Sequence, residues 1–356
     1  MSRWKDTNHT WDVKVEVVDQ NNLENVRGEL VDLDLSKCSV TESYDTDSRV
    51  QASVGTSVKE DESDGYIDKS RLRIILSVPE WGWTREMATG YVTDGRKTVD
   101  QGFSNREYTM DSVMWALGED LLPWNVVCAQ GQSMMEVTRW WLNTARMPFI
   151  EYGPNDKRYA EAKSYEVGDS ILSTLFDMND GLNRLDMDGH GRLVIRPKPD
   201  LRAATPVITL DASDPHGLIC SDLVRVSNEW GIVSRVIITS SESSNGEQHT
   251  IAGYADADPN WPSAPQIRGY NIGKKESYDG ASEHPSVDEL TNVARQKLND
   301  EQPVSIEWEF TVLFCDLHAG DVVTLVPFSY ERRCVLTSVQ TDFSDMTQKL
   351  TAKEVW

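Results

Sequence analysis

The strongest constraint on this chain is an alternation of nine residues near its carboxyl end. Ile306, Trp308, Phe310, Val312 and Phe314 fall on one side of an extended backbone, and Glu307, Glu309, Thr311 and Leu313 on the other. A period of two on this scale specifies a long strand with one face buried, and it demands partners for both edges. The pattern recurs. Val13, Val15 and Val17 alternate with Lys14 and Glu16, and Val31, Leu33 and Leu35 alternate with Asp32 and Asp34, with the polar turn Asp19-Gln-Asn-Asn22 between the runs. Leu72, Ile74, Leu76 and Val78 form a third run, which Pro79 ends by removing a ladder donor. The acidic stretch KEDESDGYID, from Lys59 to Asp68, reads as a solvated loop.

The character changes near Leu121. Ser133 and Glu136 have capping-box spacing, and Met134, Val137, Trp141 and Ala145 follow at helical intervals, which predicts a helix of about 14 residues. Asp169 is placed to cap a second helix carrying Ile171, Leu172, Leu175 and Phe176 on one face. Asp188-Gly189 between two strand-compatible runs then predicts a hairpin from Leu182 to Pro197. Strands return after Pro206, with Ile232, Ser234, Val236 and Ile238 on one face. A proline-rich loop, Tyr254 to Pro265, precedes one further helix, with Pro285 in its early turn, Ser286 and Glu289 at capping-box spacing, and Val287, Leu290, Val293, Ala294 and Leu298 on its apolar face. Short strands are expected at Asp321 to Val326, Cys334 to Val339 and Gln348 to Val355.

The fold class expected is α+β, predominantly β, with two β-barrel-like domains flanking a smaller mixed α+β insert. The 356 residues suffice for two or three domains. The boundaries expected are 1–118 for the first barrel-like domain, 119–205 for the mixed segment, and 206–356 for the second barrel-like domain, with an inserted loop and helix near 254–300. The 12 tryptophans spread from Trp4 to Trp356 supply burial along the whole chain and oppose disorder, despite the formal charge of −23. That charge repels phosphate backbones and anionic surfaces, so non-specific nucleic-acid binding is not expected. No apolar run reaches the ~20 residues of a spanning helix, no membrane segment is expected, and the polar opening MSRWKDTNHT carries no export signal. Cys38, Cys128, Cys220, Cys315 and Cys334 show no CxxC spacing and read as buried thiols in a reducing compartment.

The motifs of catalysis and metal binding are weak or missing. Asp186-Met-Asp188-Gly-His190-Gly191 begins like a calcium loop, but its fifth position is His190 and its twelfth is Pro197 where a bidentate glutamate belongs, so the hairpin turn is the better reading. His9, His190, His216, His249, His284 and His318 form neither HExxH nor a close pair with cysteine. There is no GxSxG, GxxxxGK[ST] or strand-following GxGxxG. The acids Asp256 with Asp258, and Glu307 with Glu309, stand at spacings that a solvated face explains, and Trp81, Trp83 and Trp261 offer a weak carbohydrate platform. No catalytic, cofactor-binding or metal residue is assigned, no cofactor is expected, and the chain is read as a non-enzyme.

The order of features resembles the central hub, or tail-tip, family of tailed bacteriophages, which includes the baseplate hub and the amino-terminal hub part of tail-associated proteins. The resembling stretches are EVGDSILSTLFDMNDGLNRLDMDGHGRLVIRPKP, ending at Pro199, then SNEWGIVSRVIITS, AGYADADPNWPSAP, the helix of Ser286 to Leu298, DLHAGDVVTLV and CVLTSVQTDFSDMTQKLTAKE. Together they span about residues 120 to 356, and the region before Leu117 matches as a strand pattern only. The resemblance implies a homotrimer whose three chains present six similar modules around an axial channel, through which DNA passes without specific binding. It implies a distal tail ring protein, a tape-measure protein and a tip or fibre protein as partners, and a place in the virion tail tip after assembly in the host cytoplasm. The family's long carboxyl-terminal extension has no counterpart here, so tip functions are expected on separate partners. The alternatives are a carbohydrate-active tail protein, either a wall hydrolase or a sugar-binding module, and the hub of a contractile injection system.

Overall fold

The computed structural model of the protein describes residues 10–59, 70–100, 103–180, 182–227, 231–244, 247–261, 263–278, 285–301 and 306–355. The acidic stretch from Glu60 to Asp68, together with Trp4, His9, Trp230, His284 and Trp356, lies outside them. The chain forms two compact units, one of Met1–Leu223 with Glu309–Trp356 and one of Val224–Trp308. The fold is α+β with β predominating, as the sequence pattern implied.

The first unit opens with seven strands: β1 (Asp12–Asp19), β2 (Val26–Leu30), β3 (Ser39–Ser43), β4 (Val50–Lys59), β5 (Ser70–Val78), β6 (Trp83–Asp100) and β7 (Phe103–Asp111). A mixed segment follows: α1 (Val113–Glu119), β8 (Val126–Cys128), α2 (Met134–Thr144), β9 (Phe149–Glu151), β10 (Lys163–Tyr165), α3 (Ile171–Asn179), β11 (Asn183–Met187), β12 (Leu193–Pro197) and β13 (Thr209–Asp211). The second unit holds β14 (Val224–Ser227), β15 (Arg235–Ser244), β16 (Glu247–Asp256), α4 (Pro265–Arg268), β17 (Gly273–Ser277) and α5 (Val287–Glu301). The chain closes with β18 (Ile306–Leu313), β19 (Val322–Val326), β20 (Arg332–Asp342) and β21 (Thr347–Glu354).

The first unit's main sheet runs β2-β1-β5-β6-β7-β4-β3-β20-β21, with β19 also on β20 and β13 parallel to β19. Antiparallel pairing of β3 with β20, Ser39 opposite Asp342 through Ser43 opposite Ser338, makes the carboxyl-terminal strands a continuation of the amino-terminal sheet. The order is an open path, with no closed barrel among the described residues. Val15, Val17, Val54, Leu72, Ile74 and Met110 bury one face together with Phe314 and Phe343 from the far end of the sequence. The alternation of β18 holds: Ile306, Trp308, Phe310 and Val312 are buried and the residues between are half-buried.

Two strand expectations are corrected. The alternating run Val31 to Leu35 is no strand. Asp32 adopts φ 51°, Asp34 accepts a hydrogen bond from Ser36 N at 3.2 Å to cap a 3-10 turn, and Val31 and Leu35 are left exposed. An aspartate that bonds its own backbone competes with the ladder, and here it wins. In β5 the second face is buried at Arg71 and Arg73 and half-buried at Ile75 and Ser77, and Arg73 donates to Leu23 O at 2.6 Å.

The mixed segment has its own core of Leu117, Leu122, Trp141, Leu172, Leu175 and Ile195, among others. Ser133 caps α2 as its spacing predicts, accepting from Glu136 N at 3.0 Å. The helix stops after 11 residues rather than about 14, and Arg146 just beyond it takes φ 54°. The cap of α3 is Ser170, accepting from Ser173 N at 3.2 Å, while Asp169 accepts from Glu166 N at 2.9 Å to close the preceding turn. The predicted hairpin is β11 with β12, in register from Asn183 opposite Pro197 to Met187 opposite Leu193.

In the second unit the three-stranded sheet β16-β15-β17 is covered on one face by α5. Ile232, Ser234, Val236 and Ile238 are buried as the alternation predicts. Ser286 accepts from Glu289 N at 3.2 Å, and Leu290, Ala294 and Leu298 form the buried side of α5.

Candidate functional site

The turn that resembled a calcium loop is a docking device. Asp188 accepts from Arg192 N at 2.7 Å and Arg192 Nε at 2.8 Å, and Asp186 Oδ2 accepts from Arg184 Nε at 2.7 Å and Arg196 Nη2 at 2.6 Å. Both carboxylates are thus turned to guanidinium partners rather than to a shared cation position. Among the described residues no group of three or more His, Cys, Asp or Glu is arranged to hold a metal. The tip of the hairpin lies against β6: Thr89 Oγ1 donates to Gly189 O at 2.7 Å, and a Cβ on Gly189 would stand 1.8 Å from Glu86 O. Beside it, His190 Nδ1 lies 2.8 Å from Glu86 Oε2 and His190 Nε2 lies 3.1 Å from Glu24 Oε1.

Below the turn runs a seam of arginines. Arg184, Arg196 and Arg49 gather around the single carboxylate of Asp186. Arg184 also lies 3.4 Å from the Tyr44 ring centroid and donates to Tyr44 O at 2.8 Å, so the hairpin is clamped to the end of β3 by stacking and hydrogen bonding together. Arg49 takes φ 55° and donates through Nε to Leu185 O at 3.3 Å. Burial, and then the charge of Arg184, lower its pKa from the ordinary arginine value. Two clefts of about 370 and 400 Å³ meet at Arg49. The first is lined by Glu42, Tyr152, Arg196 and Asp321, the second by Tyr44, Phe176, Asp177 and Lys198.

At the wall of the first cleft a second charged knot ties β3 to the turn before β19. Arg85 pairs with Asp316 and lies 3.3 Å from Glu42, His318 Nδ1 is 2.9 Å from Glu42 Oε2, and His318 N donates to Asp321 Oδ2 at 2.9 Å. Burial pushes the Glu42 carboxyl up, but hydrogen bonding to His318 and the charges of His318 and Arg85 outweigh it and hold Glu42 below its ordinary 4.5. For Asp321 burial prevails and raises it above 3.8. The two act in opposite senses. Stability from Glu42 is fully present above its unfolded value and is lost as pH falls through the lowered native one. Stability from Asp321 is present below its unfolded value and lost as pH rises through the raised native one. We expect Glu42→Gln to cost about 2–4 kcal/mol at neutral pH, because Arg85 and His318 lose a largely buried partner, and to flatten the acid limb of stability. Urea unfolding from pH 3 to pH 8 checks it; an unchanged acid limb would contradict this role for Glu42.

The remaining sequence candidates are dispersed. Asp256 pairs with Arg235 at 2.5 Å, and Asp258 accepts from Asn260 N at 2.8 Å inside its own turn. Glu307 and Glu309 are half-buried neighbours on one strand face rather than a solvated pair. Trp83 packs edge-on against Phe314 at 5.9 Å, Trp81 edge-on against Trp11 at 6.4 Å, and Trp261 against the core of the second unit, so each serves local packing. His216 is exposed in an Asp214-capped turn. Four cysteines are buried, with Cys315 and Cys334 pushed up to about 12 by burial, but Cys220 is exposed, against the expectation of five buried thiols. Sequence reasoning missed the anchoring roles of His190, His318, Arg49 and Arg184, whose partners lie more than 100 residues away.

The contacts on view are those of attachment: arginines, a histidine and carboxylates join the small mixed segment to the main sheet. No family model and no curated protein matches the chain. Solved structures do match across nearly its whole length. A tail protein from Neisseria meningitidis MC58 superposes with a TM-score of 0.67 at 12% identity, covering 96% of each chain. The 43 kDa tail protein of prophage MuSo2 from Shewanella oneidensis gives 0.63 at 12% identity, covering 96% of this chain and 98% of its own. The E. coli c3393 protein, a type VI secretion component described as similar to the bacteriophage T4 tail proteins gp27 and gp5, gives 0.51 at 11% identity, covering 100% of this chain and 76% of its own. The fold is that of phage tail hub-like proteins.

Proposed function

We propose that this chain is a structural hub of a bacteriophage tail tip or baseplate, which forms a trimeric ring around the axial channel and joins the tail tube and distal tail ring to tip or fibre proteins. One observation supports the reading most: the likeness to tail proteins extends over 96% or more of both chains, so it is to a whole tail-protein chain rather than to one borrowed module. The arginine seam supports it. A part whose work is mechanical fit needs its mixed segment fixed to its sheet, and charge-assisted hydrogen bonds at two separate anchors supply that rigidity. The net charge of −23 suits a wall that DNA passes without adhering.

Closure of a ring rests on matched heterologous surfaces. Light scattering on the purified chain, alone and at high concentration, is expected to give three chains per particle. A stable monomer that releases reducing sugar from cell walls would favour the carbohydrate-active alternative instead. The likeness to c3393 supports a second reading, the hub of a contractile injection system with the same fold. Neighbouring genes separate the two: capsid and tail genes for the phage, effector and secretion genes for the injector.

A further inference from the structure

We infer that the mixed segment carries a docking arc for a cationic, apolar segment of a different tail protein. Leu121, Trp124, Val127, Trp140 and Val167 keep between 47% and 66% of their surface exposed, an unusual share for large apolar side chains gathered in one lobe. They are neighbours. Trp124 stacks on the buried Trp141 at 6.2 Å, and Trp140 meets the same ring edge-on at 4.7 Å. Val167 N donates to Asn125 Oδ1 at 2.8 Å and Gly168 N to Leu122 O at 3.0 Å, which brings Val167 beside the Leu121–Trp124 turn. Val127 projects from β8 where it pairs with Ser164 of β10.

The rim selects the occupant. Glu119, Asp120, Glu166 and Asp169 are exposed on the two turns that meet at Leu121, where Leu122 N donates to Asp169 O at 2.8 Å and Ile171 N to Asp120 O at 3.0 Å. Two cations beside the arc already have acid partners: Arg139, next to Trp140, has Glu151 at 2.7 Å, and Lys163 on β10 has Asp177 at 2.5 Å. These four exposed acids favour a partner carrying Lys or Arg beside apolar anchors, and the charge of −23 disfavours a second copy of the chain. Tryptophan is among the residues enriched at the energetic centres of protein interfaces. The inference deepens the tail reading by giving the chemistry of one partner.

Three probes test it on the full chain by tryptophan emission: an amphipathic helical Leu/Lys peptide, its Leu/Glu counterpart, and a lysine-only peptide of equal charge. The Leu/Lys peptide is expected to bind and shift the emission to the blue, with the other two much weaker. Trp124→Ala and Trp140→Ala should each weaken it by about tenfold or more, and Val127→Asp, at the most exposed position, gives a variant with little risk to the core. Asp120→Lys should shift preference toward the Leu/Glu peptide. Equal binding of the lysine-only peptide, binding unmoved by the tryptophan and Val127 variants, or a fall in the particle mass on Trp124→Ala would overturn the inference, the last by making the arc a self-contact. A monomer in the light-scattering test leaves the peptide result standing, so the two failures are distinguishable.

Discussion

Replacing Gly189 by alanine is expected to release the β11–β12 hairpin from the main sheet of the first unit. The added Cβ would stand 1.8 Å from Glu86 O and 2.6 Å from Glu86 C, both backbone atoms that cannot rotate away. The turn must lift off β6. Lifting it breaks the 2.7 Å bond from Thr89 to Gly189 O and pulls His190 from Glu86, now 2.8 Å apart. It also disturbs Leu193 and Ile195 in the core of the mixed segment. Overpacking costs roughly 1–3 kcal/mol and each lost hydrogen bond about 1 more, so a total near 4 kcal/mol is expected. Gly118→Ala is the contrast. Its Cβ would meet Leu172 Cδ2 at 3.7 Å, an ordinary contact, and an alanine inside α1 should stabilise by about 0.5–1 kcal/mol. Urea unfolding of both variants checks the pair; a Gly189→Ala midpoint within error of wild type would show that the hairpin does not rest on β6 in this way.

Gly253→Ala is expected to do comparable damage to the second unit. At this point of β16, opposite Ile238 of β15, a Cβ would lie 2.3 Å from Thr291 N and 2.5 Å from Leu290 C, so α5 rests directly on the strand backbone. Among the described residues the unit's buried cluster is Val236, Ile238, Ala255, Leu290, Ala294 and Leu298, half from the sheet and half from the helix, with Val233, Ile251, Trp261, Tyr278 and Val293 packed against it. Displacing α5 opens the helix–sheet contact of this cluster, and a loss of about 3–5 kcal/mol is expected to unfold the unit at ambient temperature. Hydrogen exchange should show the amides of α5 and β15 losing protection while those of β5 keep theirs. Gly273→Ala on β17, where nothing stands within 4 Å, should leave exchange unchanged. Full protection of α5 in Gly253→Ala would refute the close approach.

The strands were legible where side chains decide them. The alternation of Ile306 to Val312 gave face and boundary, and that of Ile232 to Ile238 gave the buried face but not the boundary, since β15 runs from Arg235 to Ser244; one-sided burial enforces a period of two. Capping was legible at Ser133 and Ser286, where hydroxyl and acid stand three apart, but shifted by one at α3, where adjacent Asp169 and Ser170 both qualify and the serine took the helix. The run Val31 to Leu35 misled because Asp32 and Asp34 could serve either a polar strand face or a turn, and alternation alone does not choose. The seam was illegible for another reason. Arg49 meets Leu185, Arg184 meets Tyr44 and His318 meets Glu42 across separations no local pattern encodes, and the one local trace was the pair of glycines flanking His190. The order of elements was legible in the residues and carried the resemblance to tail hubs, whereas the sheet pairing of β3 with β20 came only from the structure.

The proposed place of this chain is in a particle, so the native particle is where it is to be looked for. Electron cryomicroscopy of the intact virion, reconstructed at the tail tip with threefold symmetry, should show three copies of this fold in a ring around the axial channel, with the mixed segment fixed on its sheet as described. A tail tip whose density has no room for this fold, or one in which single copies hang as peripheral appendages away from the channel, would contradict the account.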